Sequence, residues 1–199
     1  MEIKDTGAIK TAGKLYSASM EAGGLEMAGG SKFYYIWFDE KKAVPCVVFL
    51  STSEESFLDY IEILKNRYKD IKISPENSLP VEKNILDFLS GRKKGFDFNC
   101  CFLTGTGFEK KVWIAAAQIG YGKVKSYMEI AELAGSPNAW RAAGTALGNN
   151  PIMLAVSCHR VIKSSGEIGL YGGGEKMKRY LLQMEAGHIN SGKQLPSSA

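Results

Sequence analysis

A change of pattern near residue 107 constrains the fold more than any other feature of the sequence. Before it, runs of β-branched and aromatic residues alternate with amphipathic helical segments; after it, short helical segments are separated by Gly, Asn and Pro. The first pattern favours a sheet with helices packed on it, and the second favours a small group of helices. Since 199 residues suffice for two compact units, we predict an α+β protein. Its α/β domain would span residues 1–95 and its mainly helical domain residues 96–199.

The first half of the chain holds alternating strand and helix signals. Two runs rich in aromatic and branched residues, KFYYIWF and VPCVVFL, are separated by the polar DEKKA and predict a hairpin. Residues 1–31 are rich in Gly, Ala and Ser and leave short strands and loops equally open. The other predicted elements are a helix capped by Ser53 or Thr52 and ending near Tyr68, a strand at 71–73 and a helix at 80–89.

The second half predicts a series of short helices. An apolar stripe over residues 108–119 has the spacing of one buried helical face. Ser126 and Asn138 are placed to cap two further helices, which together form a candidate helix-turn-helix. Such pairs are common in helical proteins, so this pattern alone leaves DNA binding open. A strand-like apolar run at 152–156 and a last amphipathic helix at 175–185 complete the prediction.

Basic residues are concentrated in the second half. Residues 1–108 hold 14 basic and 15 acidic residues, whereas residues 109–199 hold 11 basic and 6 acidic residues. This excess fits a polyanionic partner, although such asymmetry is also common by chance. No apolar run reaches the roughly 18 residues that a membrane span needs, and residues 1–10 lack a signal-peptide core. We therefore predict no membrane contact and an intracellular location, cytoplasmic or, in a eukaryote, nuclear.

Three of the four cysteines are expected to be structural. Cys46, Cys100 and Cys101 lie in apolar runs, and their spacing does not resemble a disulfide framework, so we predict reduced core residues. The only histidines are His159 and His188, and the sequence has no CxxC pair. A Cys/His zinc site is therefore poorly supplied with ligands, and we predict no metal.

Cys158 stands in a different setting, because His159 follows it directly and Arg160 comes next. A thiol attacks as its thiolate, and a neighbouring base or positive charge raises the thiolate fraction. A buried carboxylate such as Glu185 could orient His159 and stabilise its charged form. In an extended strand, adjacent side chains point to opposite faces, so the pair would need a turn or a bridging water to cooperate. By itself, a Cys-His pair more often belongs to a packed core than to an active site.

The longer string is far more specific. Asn150-Pro151, five further residues and then SCHRV resemble the NP…PCHRV active-site segment of the O6-alkylguanine-DNA alkyltransferases. Upstream, GFEKKVW, YGKVKSY and RAAG resemble that family's TxFQxxVW, YGxVxSY and RAVG segments, and downstream YGGG and LLQME continue the match. The resemblance covers about residues 100–187. It implies an N-terminal ribonuclease H-like domain and a C-terminal domain with a winged-helix-like helix-turn-helix.

The resemblance also implies an irreversible, single-turnover repair reaction that needs no cofactor. Cys158 would accept an alkyl group from O6 of guanine in duplex DNA. His159, oriented by Glu185, would take the thiol proton through water. Asn150 would support the hydrogen-bonded turn beneath the cysteine. Tyr127 would press on the target phosphate and donate a hydrogen bond to the leaving guanine.

A base pocket and a DNA-contacting surface follow from the same resemblance. The nucleotide must leave the base stack to reach a buried thiol, and Arg141 would take its place. The Val161 carbonyl would accept from the guanine amino group, and the Gly172 amide would donate to O6. The residues predicted to bind the base are Met153, Val161, Tyr171 and Gly172. Those predicted to contact DNA are Lys123, Lys125, Ser126, Tyr127, Arg141, Ala142, Ala143, Gly144 and Arg160, of which Arg160 could instead form an internal salt bridge.

Two positions depart from the family pattern. Ser157 and Met153 stand where prolines are usual, which could loosen the approach to Cys158. Relatives that only bind the lesion lack the cysteine, and a helix-turn-helix regulator that senses alkylation would usually append a further domain. The predicted partner is therefore double-stranded DNA containing O6-alkylguanine, bound by a monomer; a non-enzymatic lesion-binding protein is the alternative.

Overall fold

The structure, a computed structural model, describes residues 3–4, 14–22, 32–39, 45–68 and 71–189. The strands in these ranges are β1 (Ile3–Lys4), β2 (Lys14–Glu21), β3 (Lys32–Asp39), β4 (Pro45–Ser51), β5 (Lys72–Pro75), β6 (Asn99–Cys101), β7 (Lys125–Ser126) and β8 (Val161–Ile162). The helices are α1 (Glu54–Arg67), α2 (Leu79–Leu89), α3 (Gly107–Ala117), α4 (Tyr127–Leu133), α5 (Trp140–Gly148) and α6 (Gly174–Ile189). None of the helices in these ranges is long and apolar enough to cross a membrane.

Six strands form one mixed sheet in the order β1-β6-β4-β3-β2-β5. β3 pairs antiparallel with β2 and β4, and the other pairings are parallel. The predicted hairpin pairing of β3 with β4 is therefore confirmed, while residues 40–44 of its connection lie outside the described residues. β6 belongs to this sheet although it follows the predicted domain boundary at 95/96, so the sheet extends beyond that boundary. The division into two domains stays a prediction.

Two apolar layers cover the two faces of the sheet. On one face, Tyr60 and Leu64 of α1 pack with Leu15, Ile36 and the other residues of a small core. The predicted capping of α1 is confirmed, because the Ser53 hydroxyl accepts from the Ser56 amide. On the other face, α2 and the C-terminal helices share one larger core. The sheet is thus buried on both sides, as continuous apolar strands require.

The prediction that the three cysteines outside the motif are reduced is wrong for two of them. Cys46 of β4 and Cys101 of β6 form a disulfide. Their Cα atoms lie 6.4 Å apart, and the two residues are separated by 55 positions in the sequence. Cys100 points to the opposite face, as the alternation along a strand requires, and lies outside the bridge. Spacing along the chain could not reveal this pairing, because it depends on β4 and β6 being neighbours in the sheet.

The helical half follows its capping residues closely. Capping boxes begin α3 at Thr106 with Glu109 and α4 at Ser126 with Glu129. The second helix of the predicted helix-turn-helix begins at Trp140, after Ala139, so the predicted Asn138 cap is wrong by one residue. The turn needs Gly135, whose φ is 77°.

The strand-like run predicted at 152–156 does not form a strand. The chain instead makes successive tight turns, with bonds from the Ala155 amide to the Met153 carbonyl and from the Val156 amide to the Ile152 carbonyl. The run is apolar because all five residues are buried, a condition that buried strands and buried turns share. Leu50, near the end of β4, anchors it by donating to Pro151 and accepting from Met153, each at 2.8 Å.

Candidate active site

Cys158 begins a single 3-10 turn that ends at Arg160, directly before β8. The turn resolves the geometric difficulty of the Cys158-His159 pair, because adjacent side chains in a 3-10 turn do not alternate as they do in a strand. Cys158 is 8% exposed and His159 is fully buried. The thiol therefore lies at the edge of the protein surface, with the imidazole behind it.

Asn150 holds the sulfur of Cys158 in place. Its side-chain amide lies 3.1 Å from Cys158 Sγ, and its oxygen accepts from the Ile152 amide at 2.9 Å. Burial raises the pKa of the Cys158 thiol, and the hydrogen bond from Asn150 offsets part of that effect by favouring the thiolate. This matches the supporting role predicted for Asn150.

Glu185 orients His159 from α6. Its carboxylate lies 2.9 Å from His159 Nε2. Burial alone would raise the pKa of Glu185, but hydrogen bonds from His159 and Arg160 lower it to about 2. Because the carboxylate is ionised, Nε2 carries the imidazole proton and Nδ1 keeps its lone pair. Among the described residues Nδ1 has no hydrogen-bond partner, so this nitrogen is available as a base.

Arg160 does not reach the surface. It is 5% exposed, and its guanidinium donates to both Glu185 oxygens, to the Ile119 carbonyl and to the Ser157 hydroxyl. The prediction of a phosphate contact is therefore wrong for Arg160, and the internal salt bridge is the alternative that holds. The donors that a phosphate would need are taken up by Glu185, Ile119 and Ser157.

Ser157 gains a contact that proline could not make. Its hydroxyl accepts from Arg160 at 2.9 Å, and its φ of −76° lies within the range that proline itself adopts. The backbone at this position is therefore close to the one that the usual residue would impose, and the hydroxyl adds an acceptor for a buried cation.

Lys178 is a site residue to which sequence reasoning gave no role. It is fully buried, and its ammonium donates to the carbonyls of Val161 at 2.6 Å and Leu170 at 3.2 Å. Burial lowers its pKa to about 8. The signal was present in the sequence: α6 places Lys178 and Glu185 seven residues apart, on the face that also holds the buried Leu181.

Two tyrosines flank the cysteine. Tyr127 opens α4, with its hydroxyl 2.8 Å from where a Cβ on Gly169 would lie, which explains why only glycine fits there. Burial, followed by the charge of Cys158, raises the pKa of Tyr127. Burial also raises the pKa of Tyr171, whose ring meets the His159 ring edge-on at 6.2 Å. Both phenols stay protonated at neutral pH, so both can donate a hydrogen bond.

The residues predicted to bind the base are brought together beside the turn. Met153 is buried, and its Cε lies 3.9 Å from where a Cβ on Gly172 would lie. The Val161 carbonyl accepts from Lys178 and has a second lone pair for another donor. The hydroxyl of Tyr171 is buried beside the Leu154 backbone.

The predicted DNA surface separates into exposed and buried positions. Arg141 and Ala142 are exposed on α5, but Ala143 is fully buried, so the prediction of a DNA contact is wrong for its side chain. The helical period turns it towards the core, one residue after the exposed pair. Gly144 packs against the Tyr127 ring, 3.6 Å from the position a Cβ would take.

The loop before α4 is used partly for capping. The Ser126 hydroxyl and amide both bond to the Glu129 carboxylate, so the donors that a phosphate would need are occupied and the predicted DNA contact through its side chain is not supported. Lys125 pairs with Glu129 at 2.9 Å in a half-exposed ion pair. Lys123 is exposed. Lys123 and Lys125 therefore remain the basic residues of this loop that face solvent.

The described residues place no group of three or more His, Cys, Asp or Glu side chains where they could hold a metal ion. A cleft of about 480 Å³ adjoins the turn on the Arg160 side, lined by Phe88, Tyr121 and Ser157 among others. Cys158 does not line this cleft, so it is not the space in which an alkyl group would meet the thiol.

Known proteins resemble the chain across this site. Residues 107–187 match the family model described as the DNA-binding domain of 6-O-methylguanine DNA methyltransferase. The methylated-DNA–protein-cysteine methyltransferase of Mycobacterium tuberculosis is 52% identical over 83 residues, which are 42% of this chain and 50% of that protein. The sequence match thus spans about half the length of such mycobacterial relatives.

Two further comparisons cover more of the chain. The methylated-DNA–protein-cysteine methyltransferase of Methanosarcina acetivorans is 34% identical over 157 residues, covering 76% of this chain and 97% of that protein. The crystal structure of Mycobacterium tuberculosis OGT in complex with DNA has a TM-score of 0.65 at 28% identity, covering 86% of this chain and 93% of that one. The fold predicted from the resemblance, an α/β part followed by a helical part, is confirmed. Together with the geometry around Cys158, these matches show that the chain belongs to the methylated-DNA–protein-cysteine methyltransferase family.

Proposed function

We propose that this protein repairs DNA by moving an alkyl group from O6 of guanine to Cys158, in a single irreversible turnover. The observation that carries the proposal is the chain of contacts from Asn150 to Cys158 and from His159 to Glu185. A nucleophile, a base with a free lone pair and a carboxylate that orients the base occupy one buried site.

The proposed reaction balances without a cofactor. The Cys158 thiol gives its proton to His159 Nδ1, through water, and the sulfur attacks the alkyl carbon. The bond between that carbon and O6 breaks, its electron pair stays on guanine, and Tyr127 supplies the proton that makes guanine a neutral leaving group. The Tyr127 phenolate then takes up a proton from water while protonated His159 releases one to water, so both residues return to their starting forms. The raised pKa of Tyr127 keeps the phenol protonated at neutral pH, so the proton is present when guanine leaves. A thioether remains on Cys158, so the protein acts once.

The proposed substrate is double-stranded DNA with an extrahelical O6-alkylguanine. Exposed Arg141 is suited to occupy the place of the displaced nucleotide, and Lys123 and Lys125 are suited to meet phosphates. The base would contact Val161, Met153, Tyr171 and Gly172. We further propose a monomer that works inside the cell, where its DNA substrate lies, and that needs no zinc.

Intact-protein mass spectrometry tests the reaction. The protein is incubated with duplex DNA containing O6-methylguanine, and the gain of one methyl group is expected, with peptide mapping placing it on Cys158. Excess DNA should add no second methyl group. Tight binding of the lesion without a mass change would support the non-enzymatic alternative instead.

Two cysteine variants make matched controls. Cys158→Ala should bind the damaged duplex and gain no mass, because it lacks the nucleophile. Cys100→Ala should react like the unaltered protein, because burial raises the pKa of Cys100 to about 12 and leaves it almost entirely as thiol. Methylation of the Cys158→Ala protein would remove Cys158 from its proposed role.

A further inference from the structure

Trp140 is the exposed member of the three tryptophans. Trp37 and Trp113 are 6% and 1% exposed, and their indole nitrogens donate to the carbonyls of Glu76 and Ala146. Trp140 is 42% exposed at the first residue of α5. Large aromatic side chains stabilise a fold chiefly by burial, so the exposed part of this indole, unlike Trp37 and Trp113, contributes nothing to the core.

The surroundings of Trp140 point towards the proposed DNA surface. The Arg141 guanidinium lies over its ring, 4.3 Å from the ring centre. Positions four apart share one side of a helix, so Trp140 lies one turn before Gly144, which packs against Tyr127. The buried face of α5 is formed by Ala143, Ala146 and Leu147, and Trp140, three positions before Ala143, lies at the exposed end of that face. Trp140 therefore borders the side of α5 that faces the reaction site.

Duplex DNA is the occupant that this setting fits. Trp140 is an aromatic group that carries a cation on its ring and is followed by the small, exposed Ala142, so an aromatic face, a positive charge and a close approach are combined at one helix end. Aromatic faces stack on unpaired bases, and apolar wedges enter base steps that a protein has opened. A duplex in which one nucleotide has left the base stack offers both an unpaired base and an opened base step.

We propose that Trp140 is a second DNA-contacting side chain of α5, whose indole stacks on the base exposed when the damaged nucleotide leaves the duplex. Arg141 leaves the ring as it enters the vacated place, and the freed face of the indole packs on the neighbouring base. This inference rests on the proposed function. In the free protein the ring holds the guanidinium ready, so the two side chains act as one unit.

Reaction rates of Trp140 variants test the proposal. Trp140→Ala should react about tenfold more slowly with O6-methylguanine in duplex DNA, as expected when one stacking contact is removed. Its rate with the free base O6-methylguanine should stay within about twofold of the unaltered protein, because free base needs no flipping. Trp140→Phe keeps an aromatic face and should recover most of the duplex rate. Leu133→Ala removes another exposed apolar side chain of the helix-turn-helix and should change neither rate.

Each unexpected result has a defined meaning. Equal slowing with duplex and free base would make Trp140 a structural residue and overturn the inference, as would an unchanged duplex rate. If the unaltered protein reacts with neither substrate, the proposed function fails first and for a separate reason.

Tryptophan fluorescence gives a second test, because a Trp140 side chain with a purely structural role would not change its emission when DNA binds. In the Cys158→Ala background, damaged duplex should quench the tryptophan emission and protect the remaining emission from quenching by acrylamide. The change can be assigned to Trp140, because Trp37 and Trp113 are already buried. The same titration with Trp140→Phe added should lose that change. Emission that does not respond to saturating duplex would contradict a stacked indole.

Discussion

Glu185 serves two partners, the His159 imidazole and the Arg160 guanidinium, with one buried carboxylate. It accepts from His159 Nε2 and, through both of its oxygens, from the Arg160 guanidinium. A buried ion pair gains stability only if every charge finds a partner, since removing one member leaves the other uncompensated. The same carboxylate fixes which imidazole nitrogen is the base, so stability and chemistry depend on one residue.

Glu185→Gln should lower both the stability of the protein and its rate of methyl transfer. We expect an unfolding free energy lower by about 3 kcal/mol, because Arg160 loses its counter-charge in a buried site. We expect methyl transfer to the folded fraction of the variant to slow by about 100-fold, because His159 is no longer held in the orientation of a base. Urea titration and single-turnover rates with free O6-methylguanine measure the two effects. Glu175→Gln, on the same helix but in an exposed pair with Arg179, should change neither by a comparable amount.

The Glu185 carboxylate also makes stability depend on pH. Its pKa falls from 4.5 in the unfolded chain to about 2 in the fold, so its contribution is present above pH 4.5 and is lost as the pH falls through 2. Burial lowers the pKa of His159, so its protonation in the unfolded chain also favours unfolding as acid is added. Denaturation at a series of pH values should show a steeper acid loss for the unaltered protein than for Glu185→Gln. Parallel curves would contradict this assignment.

At the scale of elements, the capping boxes at Thr106 and Ser126 explain where α3 and α4 begin. Each pairs a hydroxyl with a glutamate three residues later, a pattern that is visible in the sequence and is found in the structure. The Ser126 box positions Tyr127 at the first residue of α4, directly beside the cysteine. The start of this helix is therefore part of the site.

Ser126→Ala separates a capping role from a DNA contact. We expect a loss of about 1 kcal/mol in the free energy of unfolding, as for other caps. The salt dependence of DNA affinity should be unchanged, because the Ser126 donors are already bonded to Glu129. A salt slope smaller by about one unit would instead indicate a lost phosphate contact. Ser53→Ala, which removes the cap of α1, is the control for a pure stability effect.

At the scale of the whole molecule, the sheet supports the active site through backbone bonds. The Leu50 backbone of β4 donates to the Pro151 carbonyl and accepts from the Met153 amide. In addition, the Tyr180 hydroxyl of α6 donates to the Leu89 carbonyl at the end of α2. The turn that carries Cys158 is thus fixed against the N-terminal half. The disulfide from β4 to β6 lies within that supporting sheet.

Thiol counting tests the disulfide. Unfolded without reductant, the protein should show two reactive thiols, Cys100 and Cys158, and after reduction it should show four. The loop closed by the bridge spans 55 residues, for which the chain-entropy relation gives about 4 kcal/mol of stabilisation. Reduction should lower the midpoint of denaturation accordingly. Four thiols in protein prepared without reductant would show that both cysteines are reduced under those conditions.

The sequence by itself determined what local chemistry encodes. Caps, apolar periods and glycine turns predicted the helix ends to within a residue or two, because these signals act within about four positions of one another. The exception is α6, which continues four residues beyond its predicted end at 185. The ordered motif predicted Cys158, His159, Asn150 and Glu185 as one site. The strand predicted at 152–156 was wrong, because buried turns and buried strands have the same apolar composition.

Only the tertiary structure decided how distant groups meet. It turned Arg160 inward to Glu185 and Ala143 towards the core, and it paired Cys46 with Cys101. It also buried the Lys178 ammonium against two carbonyls and left part of the Trp140 ring exposed beneath Arg141. The Arg160 and disulfide contacts join positions 25 and 55 residues apart, and local spacing carries no information about such distant partners. For Ala143, Lys178 and Trp140, the packing of neighbouring elements decides which side chains are buried.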